Sequence, residues 1–213
     1  MKNNVMKYIK KTNPASDKTV KNEVMLLHDM TNNAVECVSL LENAFIYHTP
    51  ELLKECNSNA LLMKQEVSKL AKKMTDSVNL DPLLQPYTSV PGQLLKIAEG
   101  IEHLAELIDN KNRANVLFSD KAVRESVFLL QRLIEILGPT SDIILARNTF
   151  LGMYVEESQI NVGKMAREYA TLHEERLIAG VCIPESASIY LKMLEAIKSI
   201  AWNSKEIAVK LAG

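Results

Sequence analysis

The stretch YLKMLEAIKSIAWNSKEIAVKL, residues 190–211, decides the fold class of this chain. Apolar side chains recur along it at steps of three and four residues over several turns, which places them on one side of an α-helix. The stripe consists of Tyr190, Met193, Leu194, Ile197, Ile200, Ala201, Ile207, Ala208 and Leu211. A stripe of this length is typical of a helix in the core of a helical bundle, so we predict a bundle.

Helical spacing continues through the rest of the chain, and no stretch alternates apolar and polar residues for long enough to indicate a strand. Glycine and proline, seven of each, gather at a few points, among them GPTSD at residues 138–142. This stretch either separates two helices or kinks one long helix. We therefore predict an all-α protein, with helices near residues 17–47, 51–77, 92–110, 120–137, 141–178 and 185–212.

Residues with capping chemistry stand near several predicted helix ends. Thr49 can cap a helix that has Pro50 at its first position, and Ser119 or Asp120 can cap the helix near residue 120. Gly180 stands where a helix would stop, because glycine readily adopts the left-handed conformation of a C-terminal cap. We expect helix boundaries at these three places.

The second half of the sequence repeats the first at a nearly constant offset. The matched pairs, taken from three successive helices, are Val24 with Val127, Leu70 with Leu172 and Ile97 with Ile200, at offsets of 103, 102 and 103 residues. A shared offset in the same order favours two tandem three-helix units over chance similarity between amphipathic helices. We predict a six-helix antiparallel bundle in which one unit covers the other around a pseudo-twofold axis.

Charge and composition exclude several classes of protein. The 213 residues carry 25 Lys and Arg against 26 Asp and Glu, so no overall field favours nucleic acid. Residues 1–16 form a lysine-rich tail, which is either solvated or steers the chain toward an acidic partner or anionic lipid. No apolar run approaches the length of a membrane span, and the N-terminus lacks a secretion signal, so we predict a cytoplasmic protein.

The three cysteines predict neither disulfides nor a thiolate metal site. Cys37, Cys56 and Cys182 are odd in number, far apart in sequence and outside any Cys-x-x-Cys pair. We expect them to be small core or surface residues. The sequence also contains no glycine-rich phosphate loop, no Gly-x-Ser-x-Gly and no His-Glu-x-x-His, so we predict that the protein is not an enzyme.

The stretch LHEERLIAGVCIPESASIYLKMLEAIKSIAWNSKEIA, residues 172–208, together with the tandem layout, resembles the PhoU-like proteins. The resemblance covers about residues 17–212 and is most specific in the second half. The residues that follow the family order are His173, Arg176, Leu177, Gly180, Cys182, Pro184, Ile200 and Ala201. The resemblance implies a six-helix bundle with one repeat at residues 17–112 and a second at 118–213.

The same resemblance implies a regulator of phosphate uptake and phosphate-starvation signalling. It would act without catalysis, by binding components of a phosphate transporter or a sensor histidine kinase. Its starting methionine and lack of membrane spans indicate a free-standing member that reaches the membrane only through a partner. A homodimer through bundle faces is also expected.

The metal-binding motif of the PhoU-like family is largely missing. In that family an acidic residue is followed four positions later by an aspartate in the third helix of each repeat, so that two carboxylates converge on a hard cation. The matching positions here are Leu95 and Glu99, then Lys198 and Trp202. Three of the four carboxylates are absent, so a family-type cluster in the second repeat is not expected.

Glu99, Glu102 and His103 leave two interpretations open for the first repeat. Steps of three and four residues put these side chains on one broad helix face, where they could hold a divalent metal or iron. We favour the other interpretation, in which they form the solvated face opposite the apolar stripe of the same helix, and keep the metal site as the alternative. No cofactor is expected under the second interpretation.

Three further residues are candidates for partner binding. Trp202 can anchor an interface because tryptophan offers a large apolar area. His173 and Arg176 follow the family order near a helix end, and His173 is expected to face solvent or to cap the helix.

Overall fold

A computed structural model describes residues 14–78 and 82–212. Within these ranges the chain forms six α-helices and one 3₁₀ helix, with no strand, which confirms the all-α prediction. The predicted basic tail lies outside the described residues up to residue 13. The elements are α1 (Pro14–Tyr47), α2 (Pro50–Val78), the 3₁₀ helix (Pro82–Tyr87), α3 (Val90–Arg113), α4 (Asp120–Ala146), α5 (Thr149–Ile178) and α6 (Pro184–Ala212).

The predicted split between residues 137 and 141 is wrong, and the alternative in which a helix continues through residues 138–142 agrees with the structure as far as Ala146. Helix α4 runs through Pro139 without a break, and the hydroxyl of Thr140 donates to the Ile136 carbonyl at 2.7 Å. The chain turns only at Arg147, which ends α4 in the left-handed conformation with φ 47°. The side chain of Asn148 then accepts hydrogen bonds from the Phe150 and Leu151 backbone amides at 2.9 and 3.2 Å. A cap of this kind fixes the start of α5.

Other predicted helix ends are confirmed. The Ser119 hydroxyl accepts a hydrogen bond from the Ala122 amide at 3.3 Å and caps α4. Gly180 follows the end of α5 with φ 71°, a conformation that other residues rarely adopt. Pro50 begins α2 as predicted, although the Thr49 hydroxyl lies 3.5 Å from the Tyr47 carbonyl instead of capping the next turn.

Helices α1, α3, α4 and α6 pack together in the centre of the protein. Helix α2 packs against α1 and α3, whereas α5 packs against α4 and α6. All nine apolar residues of the stripe in α6 are buried, which confirms its core position. These helix contacts are compatible with two three-helix units that share one core.

Two glycines let helix backbones approach each other closely. A Cβ at Gly100 in α3 would lie 2.6 Å from Cγ1 of Ile200 in α6, and one at Gly152 in α5 would lie 2.4 Å from Cβ of Ala212. Neither distance is possible for ordinary side chains. The glycines therefore set how closely α3 and α5 approach α6.

Candidate functional site

A buried polar cluster joins α4, α5 and α6. Arg176 of α5 donates two hydrogen bonds to the carboxylate of Glu125 in α4, at 3.2 and 2.8 Å. The Tyr190 hydroxyl of α6 donates to the same carboxylate at 2.6 Å. Glu125 and Tyr190 are buried, and burial together with Glu125 raises the pKa of Tyr190 well above its usual value. We call these residues, together with His173, the buried cluster.

His173 lies inside the buried cluster and is only 1% exposed, so the expectation that it faces solvent is wrong. Its ring stacks on Tyr190 with centroids 4.4 Å apart, and its Nδ1 lies 3.3 Å from a guanidinium nitrogen of Arg176. Because the guanidinium can only donate, a hydrogen bond here requires the tautomer in which Nδ1 accepts and Nε2 carries the proton, and Nε2 is buried without a partner among the described residues. Burial and the charge of Arg176 lower the pKa of His173, so the imidazole is neutral.

The geometry of the buried cluster indicates a structural role. Both oxygens of Glu125 accept hydrogen bonds from Arg176, and one also accepts from Tyr190. A carboxylate that is paired and hydrogen-bonded in this way is not free to act as a base or a metal ligand. The cluster holds three helices together near the end of α5.

A buried lysine also lies near this end of the molecule. Lys111 of α3 is buried, and its ammonium lies 5.3 Å from the ring centroid of Phe45 and 5.5 Å from that of Phe118. Phe118 in turn meets Tyr190 edge to face, with centroids 5.8 Å apart. Burial lowers the pKa of Lys111, and the two rings offer its charge a cation–π environment.

The proposed metal face of α3 is exposed and partly paired. Glu99 and His103 are exposed, while Glu102 accepts a hydrogen bond from the Lys64 ammonium of α2 at 2.7 Å. This pairing raises the pKa of Lys64. His103 lies 3.8 Å from Glu106. The solvated interpretation of this face agrees with these positions, because one of its three candidate ligands is engaged by a lysine.

No arrangement of three or more His, Cys, Asp or Glu side chains suited to a metal ion occurs in residues 14–78 and 82–212. His103 lines a surface depression of about 570 Å³ between α3, α5 and α6, together with Glu174 and Glu195. Glu195, however, accepts from the Lys198 ammonium at 2.7 Å. Binding of a divalent metal or iron by Glu99, Glu102 and His103 stays a prediction.

Trp202 is 52% exposed on the outer side of α6. The Lys205 ammonium lies 4.1 Å from the centroid of its ring and holds the indole against the helix. Val209, seven residues further on, lies on the same side of α6 and is also exposed. This surface presents a fixed aromatic side chain to solvent.

Two of the three cysteines lie between α1 and α2. The Cys37 thiol donates to the Cys56 carbonyl at 3.8 Å, and the Cys56 thiol to the Cys37 carbonyl at 3.6 Å. Contact with Cys37 and burial raise the pKa of Cys56, which keeps the thiol protonated and unreactive. The expectation of small core residues is confirmed for this pair, and Cys182 is half-buried and free.

The sequence matches no protein-family profile, and no curated protein matches it significantly.

None of the helices in the described ranges combines the length and apolar character that a membrane crossing requires.

Sequence patterns missed two members of the buried cluster. Glu125 is 51 residues away from Arg176 and 65 residues away from Tyr190 in the sequence, so no local motif joins these three residues. One signal was present: Glu125 interrupts the apolar side of α4, where an unpaired carboxylate would be costly.

Proposed function

We propose that this chain is a non-enzymatic regulator or accessory protein of phosphate uptake and phosphate-responsive signalling, acting by binding other proteins. Its partners are a component of a phosphate transporter or of a sensor histidine kinase. The proposal places the protein in the cytoplasm, at the membrane only through a partner, and without a nucleic-acid ligand. Its basis is the resemblance of residues 172–208 to the PhoU-like proteins.

The proposal includes the tandem arrangement of two three-helix units in an antiparallel bundle. The pattern of helix contacts supports it, because α2 contacts α1 and α3 while α5 contacts α4 and α6. The corners after the first helix of each unit also support it. His48 and Arg147, 99 residues apart, both have positive φ, at 54° and 47°. If the two units arose from one duplicated sequence, we expect the chain to turn in the same backbone conformation after the first helix of each unit.

The exposed Trp202 is the single observation that carries the binding mechanism. An indole that is half-exposed and already held by Lys205 loses little freedom when a partner covers it. Tryptophan is also among the residues that contribute most to interface affinity. We therefore assign the primary partner contact to the outer side of α6.

Arg176 and His173 support this contact in different ways. Arg176 keeps part of its side chain at the surface while it pairs with Glu125, so it can contact a partner directly. His173 is buried and can act only by holding Arg176 and Tyr190 in place.

A capture experiment with the full-length protein tests the proposal. Tagged wild type, Trp202→Ala and the control Tyr47→Ala are incubated with membranes from the source cells grown in phosphate-rich and phosphate-poor medium. Tyr47 is an exposed aromatic residue on α1 and serves as the matched control. We expect a transporter or sensor-kinase component on wild type and on the control, reduced about tenfold or more by Trp202→Ala.

Two results would count against the proposal. If neither a transporter component nor a sensor-kinase component is enriched under either growth condition, the proposed phosphate-linked function is contradicted. Equal capture by Trp202→Ala and wild type would leave the function intact but move the contact away from α6.

A further inference from the structure

Two cysteines face each other where α1 packs against α2. The Cys37 thiol lies 3.8 Å from the carbonyl oxygen of Cys56, and the Cys56 thiol lies 3.6 Å from the carbonyl oxygen of Cys37. Each sulfur therefore lies against the backbone of the other residue. Both side chains are fully buried, and both are free thiols.

The residues around this pair let the two helices approach closely. Ala34, one turn before Cys37, and Ala60, one turn after Cys56, are also fully buried. Because α1 and α2 are consecutive and run in opposite directions, these alanines lie at the same level of the helix pair. Small side chains shorten the distance between packed helices. A disulfide spans Cα separations of about 4.4 to 6.8 Å, and reciprocal thiol–carbonyl contacts of this length are compatible with that range.

The closed bundle keeps the pair reduced. The thiolate is the reactive form of cysteine, and the hydrogen bond with Cys37 and burial both raise the pKa of Cys56. Neither sulfur is accessible to a reagent from solvent. Oxidation of the pair therefore requires that α2 first separates from α1.

Helix α2 is suited to such an opening. It lies outside the four central helices, and at the end of its contact with α1 far from the connecting corner it covers the carboxylate of Glu23. Neither oxygen of this buried carboxylate accepts a hydrogen bond from the part of the chain that the structure describes. Its counter-charge is the Lys73 ammonium at 3.3 Å, on a side chain that is 54% exposed. Water would hydrate Glu23 when the helices separate, which favours opening.

We propose that Cys37 and Cys56 are a modification site at which a low-molecular-weight disulfide, such as oxidised glutathione, joins α1 to α2. When α2 opens, the thiolate of one cysteine attacks a sulfur of the reagent and expels one glutathione thiolate. The thiolate of the second cysteine then attacks the protein sulfur of this mixed disulfide and expels the second glutathione. The two protein thiols lose two protons and two electrons, and the reagent is reduced to two thiols.

The crosslink makes the opening of α2 depend on redox conditions. It joins residues 19 positions apart, so it restricts the unfolded chain and holds α2 on α1 in the folded protein. The melting temperature should rise by about 5 to 10 °C if the helices return to their closed positions. This site does not depend on the proposed phosphate-linked function.

Incubation of the full chain with oxidised glutathione tests the site. After the remaining thiols are alkylated, mass spectrometry of a non-reducing digest should detect peptides joined through Cys37 and Cys56. Circular dichroism melting should show the rise of about 5 to 10 °C and its loss on addition of dithiothreitol. Cys182→Ser, which removes the third thiol, should behave as wild type does. Cys37→Ser should give a glutathione adduct without the rise in melting temperature.

Two comparisons test the opening step. Urea well below the unfolding midpoint should accelerate the crosslinking of wild type. Glu23→Met removes the buried charge and should slow crosslinking about tenfold in the absence of urea. Glu36→Met, at an exposed position on α1, is the matched control and should leave the rate unchanged.

Three results would contradict the proposal. Absence of the Cys37–Cys56 peptide, or pairing of either residue with Cys182 instead, would overturn the site. A crosslinked chain that melts at or below the temperature of the reduced chain would show that the two cysteines are not placed for a disulfide in the folded protein. A rate that neither urea nor Glu23→Met changes would overturn the opening of α2 as the route.

Discussion

Helices α2 and α5 each pack against two of the four central helices, but they place their charges differently. At the inner side of α5, Arg176 meets Glu125 in a buried, bidentate ion pair. At the inner side of α2 most contacts are apolar, but the Lys73 ammonium lies 3.3 Å from the buried carboxylate of Glu23 in α1. The ion pair of α2 with α3, Lys64 with Glu102, lies near the surface. Helix α5 is therefore anchored by a hydrogen-bonded, bidentate ion pair, whereas α2 is held mainly by apolar packing and meets its buried carboxylate through one exposed lysine.

The outer sides of the two helices differ as well. Helix α5 starts with the exposed apolar residues Phe150, Met153 and Tyr154, whereas the outer side of α2 consists mostly of polar and charged side chains interrupted by Leu61 and Leu62. A few scattered apolar residues of this kind are normal on a solvent-exposed protein surface. Helix α5 therefore combines an exposed apolar start with a polar anchor near its end, at His173 and Arg176.

Loss of Arg176 is expected to have the largest effect on stability. Arg176→Met leaves the buried carboxylate of Glu125 without its counter-charge, which costs about 3 to 5 kcal/mol of the free energy of unfolding. Urea denaturation followed by circular dichroism measures the loss. Adding Glu125→Leu should recover part of it, because the double variant removes the uncompensated charge. A loss below about 1 kcal/mol in the single variant would mean that Glu125 is not held in the cluster.

Tyr190→Phe is expected to have the next largest effect. The variant keeps the ring between His173 and Phe118 but removes the hydroxyl that donates to Glu125 at 2.6 Å. Removing one donor to a buried charged group costs about 1 to 3 kcal/mol. Tyr154→Phe, on the exposed side of α5, is the matched control and should melt as wild type does.

The buried His173 predicts a pH dependence of stability. The unfolded chain protonates this histidine near its ordinary pKa of about 6.5, whereas burial and Arg176 keep the folded pKa lower. Below about pH 6.5 only the unfolded state binds the proton, so the free energy of unfolding falls as the pH falls. The slope is at most about 1.4 kcal/mol per pH unit for one group.

Comparison of two histidine variants isolates this contribution. His173→Gln should lose the part of the slope just below pH 6.5 that belongs to His173, whereas His103→Gln, at an exposed position, should retain that part of the slope. Urea denaturation at a series of pH values measures both. Identical slopes in wild type and His173→Gln would show that the imidazole is accessible to protons in the folded state.

The sequence predicted the elements of this fold better than the contacts between them. The stripe of α6 and the caps at Ser119 and Gly180 depend on neighbours within a few residues, and each was identified correctly. The break at Arg147 was misplaced because Pro139 is the stronger local signal. A helix tolerates such a proline where the surrounding packing favours its continuation.

Long-range pairing explains the misplaced His173. Its sequence neighbours are charged, which predicts a solvated position, yet its ring stacks on Tyr190 of the next helix. Burial of Arg176 next to it depends on Glu125, which is 51 residues away. Local patterns contain no information on which distant carboxylate will neutralise a given arginine.

The smallest effect on the free energy of unfolding is predicted for the ion pair of α2 with α3. Lys64→Met removes the 2.7 Å contact with Glu102, but both partners keep access to solvent, so the loss should stay below about 1 kcal/mol. Salt should reduce it further, because exposed ion pairs are screened. Urea denaturation at low and high salt measures this difference. A loss as large as that of Arg176→Met would mean that α2 and α5 are held by the same kind of interaction, and that the contrast between them lies only in their outer surfaces.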